Sequence, residues 1–435
     1  MAAIAISSVI SASGLQPHDM LVAVSFKEGQ YMPQLVEAHG GKITKQFPHM
    51  GLLYALVPVQ SIEQLKAEPA VDFVEQDGQF EVSSASTTTH ISQAATLDQQ
   101  HYSWGIGDIG AQAVQSLNDT GQGIKIAVLD TGIDYNHPDL AASYRGGYNF
   151  IGNNNNTMDD NGHGTHVAGI IAASAHAGKG LTGVAPGAQL YAVKVSDSRG
   201  SGTFDTLVEG INWAIENHMN IITMSITGTG GTQALQKAVQ TAYNDGIVLV
   251  AAVGNSDEAS SDSGVLYPAA YDQVIGVGSV DSNNVKSAFS LTGPKVDIVA
   301  PGSLINSTWY DGKYRLLSGT SMATPLVTGS VALLMDTDEK SWQKEGYTNG
   351  DGKWTPDEIR NVLSNTATHI GTPGKNDQYG YGLLNVTQFA QHVAKPAQTV
   401  QSTIPSSSSS PPSQPSSIIL PALLEASIGE ISQLW

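Results

Sequence analysis

Five short apolar runs, separated by stretches of helical periodicity, constrain this chain more than any other feature. They cover residues 124–129, 190–195, 221–225, 247–253 and 274–277. Nearly continuous apolar strands are expected where both faces of a sheet are covered, and stretches such as 204–218 and 232–245 supply the helices that cover them. The pattern predicts an α/β fold over residues 102–395: a doubly wound, mainly parallel sheet with helices on both faces. Sheets of this kind bind ligands beyond the carboxyl ends of their strands, so the chemistry is sought where the runs stop.

Composition removes several alternatives. None of the 435 residues is cysteine, which excludes disulfides, thiolate catalysis and Cys-ligated zinc. Thirty-nine acidic against twenty basic residues give a net charge of −19, a surface that repels nucleic acid. Residues 1–19 open with the small, apolar MAAIAISSVISASG, which has the hydrophobic and cleavage parts of a secretory signal without its charged start. They read as a leader or truncated signal, and the expected location is secreted, extracellular or at the cell surface. No run reaches the roughly 18 apolar residues of a membrane-spanning helix.

Residues 20–83 are of another kind. Strands are expected at 21–26, 52–57 and 71–75, and helices at 32–39 and 61–68, the second capped by Ser61. The order strand–helix–strand–strand–helix–strand fits a small ferredoxin-like α+β domain. Residues 84–101 read as a linker that opens on serines and threonines, and 396–417 as a stiff Ser/Pro-rich linker. The apolar segment 418–435 could associate with a surface. A monomer is expected.

Four positions carry candidate chemistry. Asp130 ends the first run, in AVLDTGID; by itself it reads equally as a turn-capping aspartate. DTG also marks aspartic peptidases, but the second copy, at Asp119, lies too close to represent another lobe. His163 sits between two glycines in NGHGTH and opens a helix. His163 and His166 lack the HExxH register of a zinc site, and a lone histidine is more often structural. Ser321, in SGTSMATP, falls in the first turn of an apolar helix, where a cap and an anion site compete. Asn255 ends the run AAVGN, and its amide can donate to an oxyanion.

Taken together and in this order, VLDTGID, NGHGTHVAG, GVAP, YAVKV, AAVGN, SGTSMATP and YGYGLLNV, spread over residues 104–390, resemble the subtilisin family. The resemblance implies a serine endopeptidase with Asp130 as orienting acid, His163 as general base and then acid, Ser321 as nucleophile and Asn255 as oxyanion donor. It implies protein or peptide substrates and no cofactor for the chemistry. A Ser-Glu-Asp variant is disfavoured by His163, and the chymotrypsin type by the order Asp–His–Ser. Residues 20–83, with EAHGGKI from Glu37 and VDFVEQD from Val71, are similar to the family's propeptide. Such a segment assists folding and then blocks the cleft with its last strand, as an intramolecular inhibitor. A catalytically silent binding protein and a narrow-specificity processing peptidase are the alternatives.

The family resemblance also assigns the substrate edges, to Gly200, Ser201 and Gly202 on one side and Ser225, Ile226, Thr227 and Gly228 on the other. Thr227 and Leu266 stand where relatives often have glycine, so a shortened pocket and a preference for Ala, Ser or Gly before the scissile bond are expected. Maturation is expected at Ser83–Ser84, or further along up to Gln100, with Phe80 three positions before Ser83. Structural calcium has three candidate places. Asp139 matches a family ligand, although its partner loop 174–181 lacks the usual asparagine. Residues 347–358 match an EF-hand loop at Asn349, Asp351, Gly352 and Glu358, although Thr355 to Glu358 also reads as a capping box. The third is the asparagine run 153–156 with Asp159.

Overall fold

A computed structural model describes residues 19–82, 102–175, 180–256 and 264–392. The leader apart from Asp19, the 84–101 linker with its maturation positions, the Ser/Pro stretch and the apolar tail lie outside the described residues. The chain divides into two units, residues 1–394 and 395–435, and only the first contains described residues.

The N-terminal part runs β1 (Asp19–Phe26), α1 (Gln34–Ala38), β2 (Lys42–Phe47), β3 (Leu52–Pro58), α2 (Ile62–Lys66) and β4 (Val71–Gln76), with antiparallel sheet order β2-β3-β1-β4. Val24, Phe26, Val36, Leu53, Val57 and Leu65 form its own small core. Ser61 does not cap α2. It ends a 3-10 turn, Val59–Ser61, whose helical backbone runs straight into the helix, so its hydroxyl is never presented to the first amides. One further strand, β5 (Gln79–Val82), leaves this sheet altogether.

In the larger part the apolar runs become β6 (Lys125–Asp130), β8 (Gln189–Lys194), β10 (Ile221–Met224), β12 (Val248–Ala252) and β13 (Val274–Val280). With β7 (Tyr144–Asn149) and β14 (Ile298–Pro301) they form a seven-stranded sheet, order β14-β13-β12-β10-β6-β8-β7, with every neighbouring pair parallel. Alternate residues enter two cores. Ile126, Val128 and Val250 pack with α5 (His163–Ala172) and α8 (Thr320–Asp336); Ala127, Leu129 and Leu249 pack with α6 (Phe204–Glu216) and α7 (Gln233–Asn244). Short helices α3 (Trp104–Asp108) and α4 (Ala111–Gln115), and α9 (Pro356–Thr366), complete the first layer. Two edge strands, β9 (Ser201–Thr203) and β11 (Ile226–Thr227), and the hairpin β15 (Ile305–Thr308) with β16 (Tyr314–Leu317) lie outside the main sheet. Among the described residues no helix is long and apolar enough to cross a membrane.

The sequence YRGGYN conceals β7 because an edge strand need not be apolar. Gly147 shows why it still pairs so closely: its φ is +147°, and a Cβ there would lie 1.8 Å from the Ala192 carbonyl oxygen.

The second DTG copy has a structural role. Asp119 is buried against Asp336, whose Oδ2 accepts from the amides of Thr120, Gly121 and Gln122 at 3.0–3.3 Å. Burial first, and then the Asp336 charge, push Asp119 up to about 8. An acid raised by folding costs stability as pH climbs from its ordinary value near 4 towards that pKa. Asp119→Asn should therefore stabilise the fold at pH 8 by about 1–3 kcal/mol, the scale of an unsatisfied buried group, and do little at pH 4. Melts of the Ser321→Ala chain at both pH values check this; equal shifts at the two would contradict it.

Candidate active site

Asp130 is the last residue of β6 and His163 the first of α5, and the packing of α5 on the sheet brings them together. His163 Nδ1 lies 2.8 and 3.0 Å from the two carboxylate oxygens of Asp130, and both residues are buried. A carboxylate can only accept, so Nδ1 carries the proton and Nε2 is the basic nitrogen. The Thr131 amide donates to Asp130 Oδ1 at 2.7 Å. Lys194, the register partner of Asp130 on β8, is buried with its ammonium on the Thr131 carbonyl, the Ser196 carbonyl and Asp160.

Asp159 sets the start of α5. Its carboxylate accepts from the Thr131 hydroxyl, the Asn161, Gly162 and Thr165 amides and the Thr165 hydroxyl, all at 2.6–3.0 Å. Five donors saturate it, so the calcium reading of Asp159 with the asparagine run gives way to a helix-start role. His166 donates from Nε2 to the Arg315 carbonyl at 3.0 Å, and burial depresses it to about 3, so it stays neutral and structural.

Ser321 is the second residue of α8 and is buried. Its Oγ donates to the Ser225 carbonyl at 3.0 Å, and the Ser225 hydroxyl donates back to the Ser321 carbonyl at 3.0 Å. Pro325 explains the second bond. Lacking an N–H, it cannot donate to Ser321 as a helix would require, and the side chain of Ser225 takes over. Asn255 Oδ1 accepts from the Thr320 amide and hydroxyl at 3.1 and 3.2 Å, which orients the side-chain amide and makes Nδ2 its donor end.

The predicted substrate edges are β9 with Gly200 before it, and β11 with Ser225 and Gly228 around it. Strand β5 lies between them, antiparallel to both. Phe80 pairs with Gly202, Glu81 with Ser201 and Thr227, and Val82 with Ile226, while the Val82 amide donates to the Gly200 carbonyl at 2.9 Å. Phe80 stacks on Phe204 with centroids 6.2 Å apart, and only glycine fits at 202, where a Cβ would meet the Phe80 ring at 2.3 Å. Leu266 is buried and donates its amide to the Val253 carbonyl; its side chain packs over Gly254, next to Asn255.

The carboxylates of the other calcium candidates accept hydrogen bonds from the chain itself. Asp139 Oδ2 already accepts from the Leu181 amide and the Tyr314 hydroxyl, both at 2.8 Å. Glu358 closes a capping box with Thr355 and accepts from the Asn349 amide, while Glu339 accepts from the Gly350 and Gly352 amides. Apart from the capping box, these partners are brought in by folding and are not legible in a local pattern. Among the described residues no group of three or more His, Asp or Glu could hold a metal ion.

Comparison with known proteins agrees with the fold. Residues 121–382 match the Subtilase family. The chain is 40% identical over 358 residues to subtilisin E of Bacillus subtilis (strain 168), covering 82% of this chain and 85% of that protein. It is 43% identical over 293 residues to a subtilisin of Bacillus pumilus, covering 67% of this chain and all of that protein. A thermostable alkaline protease of Halalkalibacterium halodurans is 39% identical over 355 residues, covering 82% and 87%. With a matching family model over most of the peptidase sheet and relatives of this closeness along most of its length, the chain belongs to the subtilase family of serine endopeptidases.

Proposed function

We propose that this chain is a secreted endopeptidase made as a zymogen, with Ser321 as nucleophile, His163 as its base and Asp130 as the acid that fixes the imidazole tautomer. His163 Nε2 takes the Ser321 proton as Oγ attacks the scissile carbonyl, then returns it to the leaving amine. The Asn255 side-chain amide and the Ser321 backbone N–H stabilise the oxyanion. No cofactor enters, since nucleophile, base and donors all belong to the chain. Residues 20–83 act as the intramolecular inhibitor, protein substrates later replace them, and the working form is a monomer.

The observation that carries this reading is β5, seated between the two substrate edges with Val82 one residue before Ser83. Hydrolysis after Ser83 would leave that strand as a product in its own cleft. Autoprocessing of purified precursor, compared with Ser321→Ala, tests it: the parent should mature over time with a new N-terminus at 84 or between there and 101, and the variant should stay whole. An equally processed variant would overturn the reading.

Leu266 over Gly254 and the buried Thr227 support a short pocket before the scissile bond. Leu266→Gly should raise kcat/KM for Phe over Ala at that position by roughly 10–200-fold. Peptide-library profiling of parent and variant checks this; a parent that already prefers Phe would contradict it.

A further inference from the structure

Residues 19–82 also grip the peptidase away from the cleft. Glu75, in β4, accepts from the amides of Gln233 and Ala234 at the start of α7, at 3.0 and 2.6 Å. At α6 the contact is ionic. A register irregularity in β2 brings out Lys45, whose ammonium lies 2.5 Å from Asp205 Oδ2 and 2.7 Å from Glu209 Oε2. Asp205 and Glu209 are one helical turn apart and share a face of α6. Asp77, just past β4, faces Asp205 as a further carboxyl, and its Oδ1 is buried without a donor. The Tyr54 hydroxyl, buried on β3, faces the same group.

We propose that Asp205 and Glu209 form an ionic socket outside the substrate cleft that recognises Lys45 of the chain's own N-terminal domain, and that the Asp77–Asp205 pair makes this grip require a proton. Three carboxyls share one ammonium in a partly buried interface, so they cannot all ionise cheaply. Asp77 is pushed up to about 7 by burial first and then by Asp205, and burial also raises Glu209. The remaining groups facing the cluster, Glu75 and the tyrosines 54 and 271, add negative charge or stay protonated.

Undocked, Asp77 returns to the ordinary aspartate value near 4. Docking therefore takes up a proton between about pH 4 and pH 7. The hold is full at the acidic end, weakens by up to about tenfold per pH unit across that window and levels off above it. Lysine recognition would favour this propeptide over one with an acidic or apolar residue at position 45. The consequence for activity, faster release of the inhibitor towards neutral and alkaline pH, rests on the proposed role of residues 20–83; the docking itself does not.

The test uses the full chain carrying Ser321→Ala, so that docking is read without cleavage. Hydrogen exchange of the β5 amides and of Gln233 and Ala234, corrected for intrinsic rates, is followed from pH 5 to pH 8. Protection should fall by tenfold or more over that range. Asp77→Asn should keep protection high and flat with pH, and Asp205→Asn should flatten it in the same way if the first variant folds poorly. Lys45→Met should lower protection at every pH while keeping the slope. The same slope in both asparagine variants as in their parent, or unchanged protection in Lys45→Met, would overturn the proposal. Fluorophosphonate labelling of the unmutated chain reports on the peptidase reading separately.

Discussion

Ser321→Ala and His163→Ala should each lower kcat by about 10⁶, a size established in subtilisin itself. The buried His163–Asp130 contact explains why the losses should not add. In the proposed mechanism the imidazole acts only by drawing a proton from the hydroxyl, so the second deletion removes a group that the first has already disabled. The double variant should be about as active as either single one, the residue coming from binding and the oxyanion donors. Peptide hydrolysis of the three variants measures this, with fluorophosphonate labelling of Ser321 as the direct readout of the nucleophile. Retention of labelling by His163→Ala at the parent rate would remove the imidazole from the mechanism.

The second large effect belongs to Asn255. Its Oδ1 is taken by the Thr320 amide and hydroxyl, so the side chain is held before any substrate arrives. A preorganised donor acts where charge develops, and so appears in kcat rather than KM. Asn255→Ala should lower kcat by about 10²–10³ with KM nearly unchanged, the range known for such a donor in subtilisin. Asn255→Asp keeps the acceptor for Thr320 and loses the donor, so it separates the two roles. Activity near that of the parent in Asn255→Asp would mean that the residue only positions α8.

Much of the fold was readable because its signals are local. The apolar runs mark strands buried on both faces, and the stretches 204–218 and 232–245 carry helical periodicity that the structure places over one face of the sheet. The edge strand β7 was not readable, since half of its surroundings are solvent and its pairing depends on a close backbone approach at Gly147. Asp130 and His163 could be named as candidates, but their meeting depends on α5 docking against β6. The calcium candidates show the same limit of a local reading. A carboxylate in a loop looks the same in sequence whether it awaits a cation or backbone amides, and for Asp159, Glu358 and Asp139 the partners include groups brought in by folding. Nor does any local signal show Lys194 behind Thr131, or Ser225 replacing the hydrogen bond that Pro325 cannot make.

The sequence by itself determined most of the secondary elements of the main sheet and its helices, the family and the residue types able to do the chemistry, because these depend on spacing and periodicity along the chain. Tertiary structure alone decided which carboxylates are occupied by amides, how Asn255 is oriented, and that Lys45 meets Asp205 across 160 positions. Such pairings are set by which surfaces pack together, and hydrogen bonding and charge act through space with no regard for distance along the chain.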